Sequence, residues 1–415
     1  MYNLWVGKHG SLRVSRYPGI YETETGGSTK ASFSFKELTE ATTAPFYAFY
    51  PTSLFTTSTF VLPATQTYVA GNIAGNPMYA ESSTTNLSFK NLCGIIKLNI
   101  STTQTGKKVR KIVLSADQGM SGEISNVATL ATDLAAGVTG TAGITLDCGT
   151  EGVAIGSTAI PFYIVVPANS YSNLRIMVIT TDNEFQTRTA KSDIVVGRSS
   201  ITDITLGFNN LSAISNLVHY WPFNGNLKDA VAEGAIDATN IYSEATLTED
   251  RHGNANSAYS FDGDDVMSIG SAGNFGASSF TANMWICTTT TGSCTLIRTE
   301  EASGGIGWFI RFDSSNIEIW ASSNNKVVSM SINDGSWHMI TFVQDADNKV
   351  GQLYVDGVIK GSYSMSTVPS VTNGNTHVLG SGMTTPYYTY VGKMDEVRLY
   401  NKALTAEEVA ALYQY

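Results

Sequence analysis

At 415 residues the chain is too long for one small domain and favours two or three. Its 42% hydrophobic and 10% aromatic content, with only 14% charged residues, supplies real cores, excludes a disordered chain and favours β-sandwich proteins over helical ones. The charge is uneven: residues 1–208 carry 15 basic and 14 acidic side chains and residues 209–415 carry 10 and 21. The second half therefore repels phosphate backbones, which argues against nucleic-acid binding there.

No apolar run is long enough to cross a membrane. The opening Met1-Tyr2-Asn3-Leu4-Trp5 lacks the basic start and apolar core of a signal peptide and begins in mid-pattern, which fits a leader removed ahead of it, with a native cytosolic start as the alternative. From Ala31 to Phe208 apolar strands follow one another with almost no helical spacing. Ala44–Pro51 is an aromatic run closed by proline at both ends. Thr59–Pro63 and Asn86–Asn91 come next, and Gly94–Ile100 has the period-two alternation of a half-buried strand. Lys107–Ser115 carries lysines that suit a protected sheet edge. Ile160–Pro167, Leu174–Thr180 and Ile201–Leu206 complete a β-sandwich. Cys93 reads as a small buried hydrophobe, with Cys148 a weak partner for it. The isolated carboxylates Asp117, Glu123, Asp182 and Glu184 read as turn or solvent groups, and with His9 the sole histidine of this half no nucleophilic triad is suggested.

The order of motifs in this half is Phe49-Tyr50-Pro51-Thr52-Ser53, Leu62-Pro63-Ala64-Thr65-Gln66, Gly75-Asn76-Pro77-Met78-Tyr79-Ala80, Leu87–Leu98 and the lysine-flanked Val109–Leu114. It resembles the fimbrillin (Mfa-like) domain of Bacteroidales cell-surface and fimbrial proteins. The resemblance implies a transthyretin-like β-sandwich over residues 1–208, secreted as a lipoprotein with a lipid anchor on the removed leader and displayed outside the outer membrane. The second sandwich that usually follows in that family is replaced here, which suits a tip, anchored or stand-alone adhesin better than a shaft subunit.

Residues 209–216 form a short polar linker. Beyond it Leu217-Val218-His219-Tyr220-Trp221 leads into the turn Pro222-Phe223-Asn224-Gly225-Asn226, with Asp229 close behind. Ala258–Ile269 holds two strands joined through the carboxylate-rich Asp262-Gly263-Asp264-Asp265. Ser279–Ile286, Gly307–Phe312, Asn316–Ala321 and Trp337–Val343 alternate as strands. Asp356-Gly357 between apolar runs signals a hairpin, because both turn positions need positive φ. Thr405 with Glu408 forms a capping box that starts a closing helix. Cys287 and Cys294 flank a turn where a hairpin-bridging disulfide would fit.

The carriers of a second resemblance are Tyr220–Asn226 with Asp229, Phe261–Asp265, Phe280–Trp285, Trp337–Phe342, Leu353–Gly357, and Met394-Asp395-Glu396-Val397-Arg398-Leu399-Tyr400-Asn401 followed by Ala403-Leu404-Thr405. Together they resemble the laminin-G-like (laminin-G-3) group of concanavalin A-type jelly rolls. The resemblance implies two curved antiparallel sheets over residues 217–415, with the first strand beside the last long one. It also implies binding of glycans or proteins and one structural calcium, here assigned to Asn224 and Asp395. The alternatives are that Asp395 caps a turn and pairs with Arg398, and that Asp262, Asp264 and Asp265 hold the cation.

Trp285 and Trp337 read as core. Trp308, Trp320, Arg311 and the run Tyr387, Tyr388, Tyr390 are the candidate ligand contacts, since flat aromatics stack on sugar faces and an arginine hydrogen-bonds hydroxyls. A glycoside hydrolase needs two carboxylates across one sugar, and on Asn316–Trp320 only Glu318 is present, while Asp345 and Asp347 fall in a turn. The scattered histidines lack zinc spacing. The expected function is a secreted, non-catalytic cell-surface adhesin. An accessory fimbrial subunit contacting other subunits without sugar binding, and a glycoside hydrolase, are the alternatives.

Overall fold

A computed structural model describes residues 59–73, 76–83, 90–125, 138–139, 143–231, 234–300, 307–313, 316–321, 324–368 and 376–415, together with 5–7, 21–22, 32–33, 46–50 and 54. Among the described residues the chain is all-β apart from the C-terminal helix Ala406–Tyr413, and it divides into two compact units, Met1–Ala213 and Ile214–Tyr415.

In the first unit the predicted alternation places Ile96, Leu98 and Ile100 of the strand Cys93–Ser101 inward. This strand runs antiparallel to Ile160–Pro167 and parallel to Ile201–Gly207. It shares one core with Lys108–Ser115, whose Val109, Ile112 and Leu114 are buried. The lysine-flanked strand is no edge: it lies between Gly143–Asp147 and Arg175–Thr180. Lysine rides on its outer face, and Lys107 just ahead of it pairs with Glu184. Of the strand predicted over 86–91, residues 86–89 fall outside the described set.

The second unit packs two sheets face to face. The larger runs in the order Thr246–Thr248, Ala258–Asp262, Val391–Tyr400, Phe280–Cys287, Trp337–Asp345, Val350–Val355, Val358–Ser364. Leu217–Trp221 also pairs with Val391–Tyr400, Trp221 facing Val397, so the first and last strands lie side by side. The other sheet runs Thr239–Asn240, Met267–Ser268, Thr376–Leu379, Cys294–Glu300, Trp308–Asp313, Asn316–Ala321, Asn324–Ser329. Between them Trp221, Phe223, Phe280, Trp308, Phe312 and Phe342 fill a core from which water is excluded. Burying one such aromatic contributes about 2–3 kcal/mol, so this layer dominates the unit's stability.

Local chemistry explains the joints. Asp356 (φ 53°) and Gly357 (φ 76°) close the predicted hairpin, with Val355 opposite Val358. Thr405 Oγ1 accepts from the Glu408 amide while the Glu408 carboxylate accepts from the Thr405 amide. Helix residues Val409 and Leu412, with Leu404 just ahead of the helix, cover the outer face of the larger sheet at Trp285, Met339 and Tyr354. Asp229 organises the turn after the first strand: its carboxylate accepts from the Tyr220, Val231 and Ile236 amides and pairs with His219 Nδ1 at 2.7 Å.

The disulfide that Cys287 and Cys294 could have formed is not made, and none of the four cysteines is disulfide-bonded: the runs carrying Cys287 and Cys294 are not a hairpin, because the chain crosses between them from one sheet to the other. Cys294 turns into the core and Cys287 Sγ donates to the Gly335 carbonyl.

Candidate functional site

Helix Ala406–Tyr413 lies against one outer face of the sandwich. The outer face of the other sheet carries a different surface, assembled by register. On Trp308–Asp313, Trp308, Ile310 and Phe312 point into the core, which sends Phe309 and Arg311 outward. On Asn316–Ala321, Ile317, Ile319 and Ala321 point inward, which sends Glu318 and Trp320 outward. Pairing then aligns two cross-strand rows. One runs Arg298, Phe309, Trp320, Asn325, and the other Thr295, Arg311, Glu318, Val327.

The rows are cross-linked. Phe309 and Trp320 stack with ring centroids 5.3 Å apart and planes 4° from parallel. The Arg298 guanidinium lies 5.9 Å and that of Arg311 5.5 Å from the Phe309 ring centre, within cation–π range. Arg311 Nη2 donates to Glu318 Oε2 at 2.5 Å and Asn325 Nδ2 donates to Glu318 Oε1 at 2.9 Å. Glu318 is thus only 8% exposed yet has both oxygens satisfied. Arg311 Nε is buried with no hydrogen-bond partner.

The loop 380–390 overhangs one end of this face. The Thr295 amide donates to the Tyr388 carbonyl at 2.7 Å and the Gly382 amide to the Tyr387 carbonyl at 2.6 Å. Ser381 Oγ accepts from the Tyr387 amide. So pinned, Tyr387 and Tyr388 stay 44% and 42% exposed, edge to face at 4.3 Å, with Arg311 6.0 Å from the Tyr388 ring. The side-chain hydrogen bond with Tyr388 raises the pKa of the Tyr387 phenol.

Four of the six predicted ligand contacts, Arg311, Trp320, Tyr387 and Tyr388, therefore converge. The other two do not. Trp308 is fully buried, its indole N–H donating to the Gly273 carbonyl and its ring packed on Phe280 and Phe342. Tyr390 is fully buried too, its hydroxyl against the Cys287 and Lys393 carbonyls. Phe309, Arg298 and Asn325 belong to the face but escaped sequence reading. Strand parity was the available signal, since an outward Arg311 requires an outward Phe309 and an inward Trp308.

The two cation candidates differ. Asp395 sits at a bulge whose next residue, Glu396, has φ 55°. Its Oδ2 accepts from Arg251 Nη1 at 3.2 Å, and that guanidinium stacks 4.6 Å from the Trp285 ring centre. Arg398 pairs instead with Glu396. Burial first, then the Glu396 charge, push the Asp395 carboxyl up to about 7. The Asn224 carbonyl accepts from Asn226 Nδ2, and the Asn224 residue is exposed. Calcium takes six to eight oxygens. Here a guanidinium faces the carboxylate and Oδ1 of Asp395 alone is unpartnered, so these residues do not fit a calcium shell. The carboxylates of Asp262, Asp264 and Asp265, by contrast, lie within 4.8 Å of one another. Two of their oxygens also cap the turn, Asp265 Oδ2 on the Asp262 amide and Asp262 Oδ1 on the Asp264 amide.

Residues 261–410 match the family model of the concanavalin A-like lectin/glucanases superfamily, laminin-G-3 type, in keeping with the two-sheet sandwich of the second unit. No curated protein matches the chain. Among solved structures, domain 4 of AbnA, a GH43 extracellular arabinanase of Geobacillus stearothermophilus solved with arabinotriose, is similar at 20% identity. The match covers 48% of this chain and 98% of that one, with a TM-score of 0.40. The binding domain of botulinum neurotoxin serotype D is similar at 14% identity over 48% of this chain and 50% of its own, TM-score 0.39. A heptameric SAP-like pentraxin of Limulus polyphemus is similar at 16% identity over 32% and 68%, TM-score 0.29. These likenesses concern the fold, and the chain spans about half of the neurotoxin domain.

Proposed function

We propose that the second unit is a non-catalytic glycan-binding module, that its site is the outward face built on Phe309, Arg311, Trp320, Tyr387 and Tyr388, and that the chain works as a secreted surface adhesin. The observation that carries this reading is the pair of cross-strand rows. They set a stacked Trp320–Phe309 platform beside a fixed Arg311 and two half-exposed tyrosines. Such a surface offers the free face of Trp320 for one sugar face and donors for its hydroxyls, on rigid strands that lose little freedom on binding. The concanavalin A-like family match over residues 261–410 is in keeping with it.

Glu318 supports the absence of catalysis. Both its oxygens are engaged, and its neighbours along the row are Arg311 and Val327, so no second carboxylate stands across from it there. In this reading the first unit is a fimbrillin-like, lipid-anchored display domain at the outer membrane. Weak sites become effective there through multivalent presentation. A structural calcium, in this proposal, belongs to the turn of Asp262, Asp264 and Asp265, whose donors converge.

A glycan array probed with the full chain and with Trp320→Ala tests the reading. Binding by the parent and its loss in the variant are expected. Retention of binding in the variant, or no glycan bound by the parent, would overturn it in favour of a fimbrial accessory subunit.

A further inference from the structure

The platform has a direction. Phe309 and Trp320 are register partners on neighbouring strands, parallel to within 4° and 5.3 Å apart between ring centres. Two rings side by side in one plane need about 7 Å between centres, so these two overlap face to face across the gap between their strands. Phe309 thus covers one face of Trp320. The other face looks over the next strand, Asn324–Ser329, which is the last of its sheet.

That edge strand supplies a floor. Asn325 lies opposite Trp320, Val327 opposite Glu318 and Ser329 opposite Asn316. All three are exposed, Val327 at 48%, while Lys326 and Val328 turn the other way and approach Gly361. The polar groups of this floor are held in place. Asn325 Nδ2 donates to Glu318 Oε1 at 2.9 Å, and because a carboxylate only accepts, the amide oxygen is turned away from it. Ser329 Oγ donates to Asn316 Oδ1, also at 2.9 Å. Along the strand the surface therefore presents an amide, then a valine, then a hydroxyl paired with an amide, over about 14 Å at the usual rise per residue.

A sugar on the free face of Trp320 stands on edge over Asn325 and turns its hydroxyl-bearing rim to the amide. The aromatic stack walls off the way back across the sheet, whereas the edge strand is open along its length. We infer that the glycan runs along Asn324–Ser329, with Trp320 as its side wall. Asn325 meets the first unit, Val327 lies under the next, and the Ser329–Asn316 pair meets the one after. The ligand class is a linear oligosaccharide engaged over about three units, not a single terminal sugar. This inference rests on the platform reading above.

The experiment is calorimetry on the full chain with neutral linear oligosaccharides of β-linked glucose, xylose, mannose and N-acetylglucosamine, each as monomer, dimer, trimer and pentamer. In the series that binds, the trimer binds about tenfold tighter than the dimer, about 1.4 kcal/mol, and the pentamer binds like the trimer. Asn316→Ala combined with Ser329→Ala brings the trimer to the dimer level and leaves dimer binding unchanged, which also shows that the variant is folded. Asn325→Ala weakens dimer and trimer alike. Affinity that is flat from monomer to trimer, a trimer gain that survives the double change, or a gain lost in Tyr388→Ala instead overturns the inference while the platform stands. Absence of binding in every series, or trimer binding unaffected by Trp320→Ala, removes the platform with it.

Discussion

Trp308 and Trp320 sit on neighbouring strands, and truncating them should have opposite consequences. Trp308 is fully buried among Phe280, Phe342, Phe275 and His377, with ring centroids 4.9–6.5 Å away, and donates its indole N–H to the Gly273 carbonyl. Trp308→Ala opens a cavity in the sandwich and leaves that carbonyl unpaired, a loss of about 3–5 kcal/mol. Trp320 packs one face on Phe309 at the surface. Trp320→Ala forfeits chiefly that stack, about 1 kcal/mol. For binding the order reverses. Covering one face of the Trp320 ring with sugar removes on the order of 80 Å² from water, worth about 2 kcal/mol, so Trp320→Ala weakens affinity roughly thirtyfold. Urea titration read by tryptophan fluorescence suits the measurement, because five of the six tryptophans (221, 285, 308, 320 and 337) lie in the second unit. A Trp308→Ala chain nearly as stable as the parent, with Trp320→Ala the severely destabilised one, would mean that the strand faces are exchanged. The site argument would then fall, since a one-residue slip reverses every side chain.

Three further outcomes are expected. Burial holds the folded-state Asp395 carboxyl near 7 and the folded-state His377 imidazole near 4, against about 3.9 and 6.5 in the unfolded chain. The Asp395 contribution is present at low pH and lost as pH rises through 7, whereas the His377 contribution is present above 6.5 and lost as pH falls through 4. The two oppose each other between pH 4 and 6.5, so Asp395→Asn should make the urea midpoint rise across that window more steeply than in the parent; parallel profiles would contradict the burial account. Thr405→Ala removes one half of the capping box and should cost about 1 kcal/mol, measured by the same titration, with glycan affinity unaltered. Calcium should raise the melting temperature of the parent, not that of Asp264→Asn, and a calcium shift retained in Asp264→Asn but lost in Asp395→Asn would return the cation to the last strand.

The sandwich of the second unit was readable because its signals are local and redundant. Asp356-Gly357 demands positive φ at both positions, and Thr405 and Glu408 cap each other. What escaped depended on which sheet each strand joins. Cys287 and Cys294 are seven residues apart and look like hairpin partners, but the segment between them bridges two sheets, a choice made by the pairing of Phe280–Cys287 with Val391–Tyr400, over a hundred residues away. The partner of Asp395 escaped for a similar reason: it is Arg251, 144 positions away, and not Arg398, and no local pattern announces it. Among the site residues, an aromatic run such as Tyr387-Tyr388-Thr389-Tyr390 cannot declare which ring turns inward. Tyr388, with φ 48°, breaks the alternation, and Tyr390 enters the core.

Glu318 ties the absence of catalysis to the selectivity of the face. A carboxylate that is 8% exposed on an otherwise open sheet would pay a desolvation penalty unless fully hydrogen-bonded, and Arg311 with Asn325 meets that need. The same bonds remove its lone pairs from use as a base or nucleophile and hold Arg311 beside Tyr388. Glu318 thus neutralises Arg311 in place, beside Tyr388. Glu318→Gln should free that guanidinium, so the variant would bind anionic glycans more tightly than the parent in calorimetry; unchanged affinity for them would contradict the pairing.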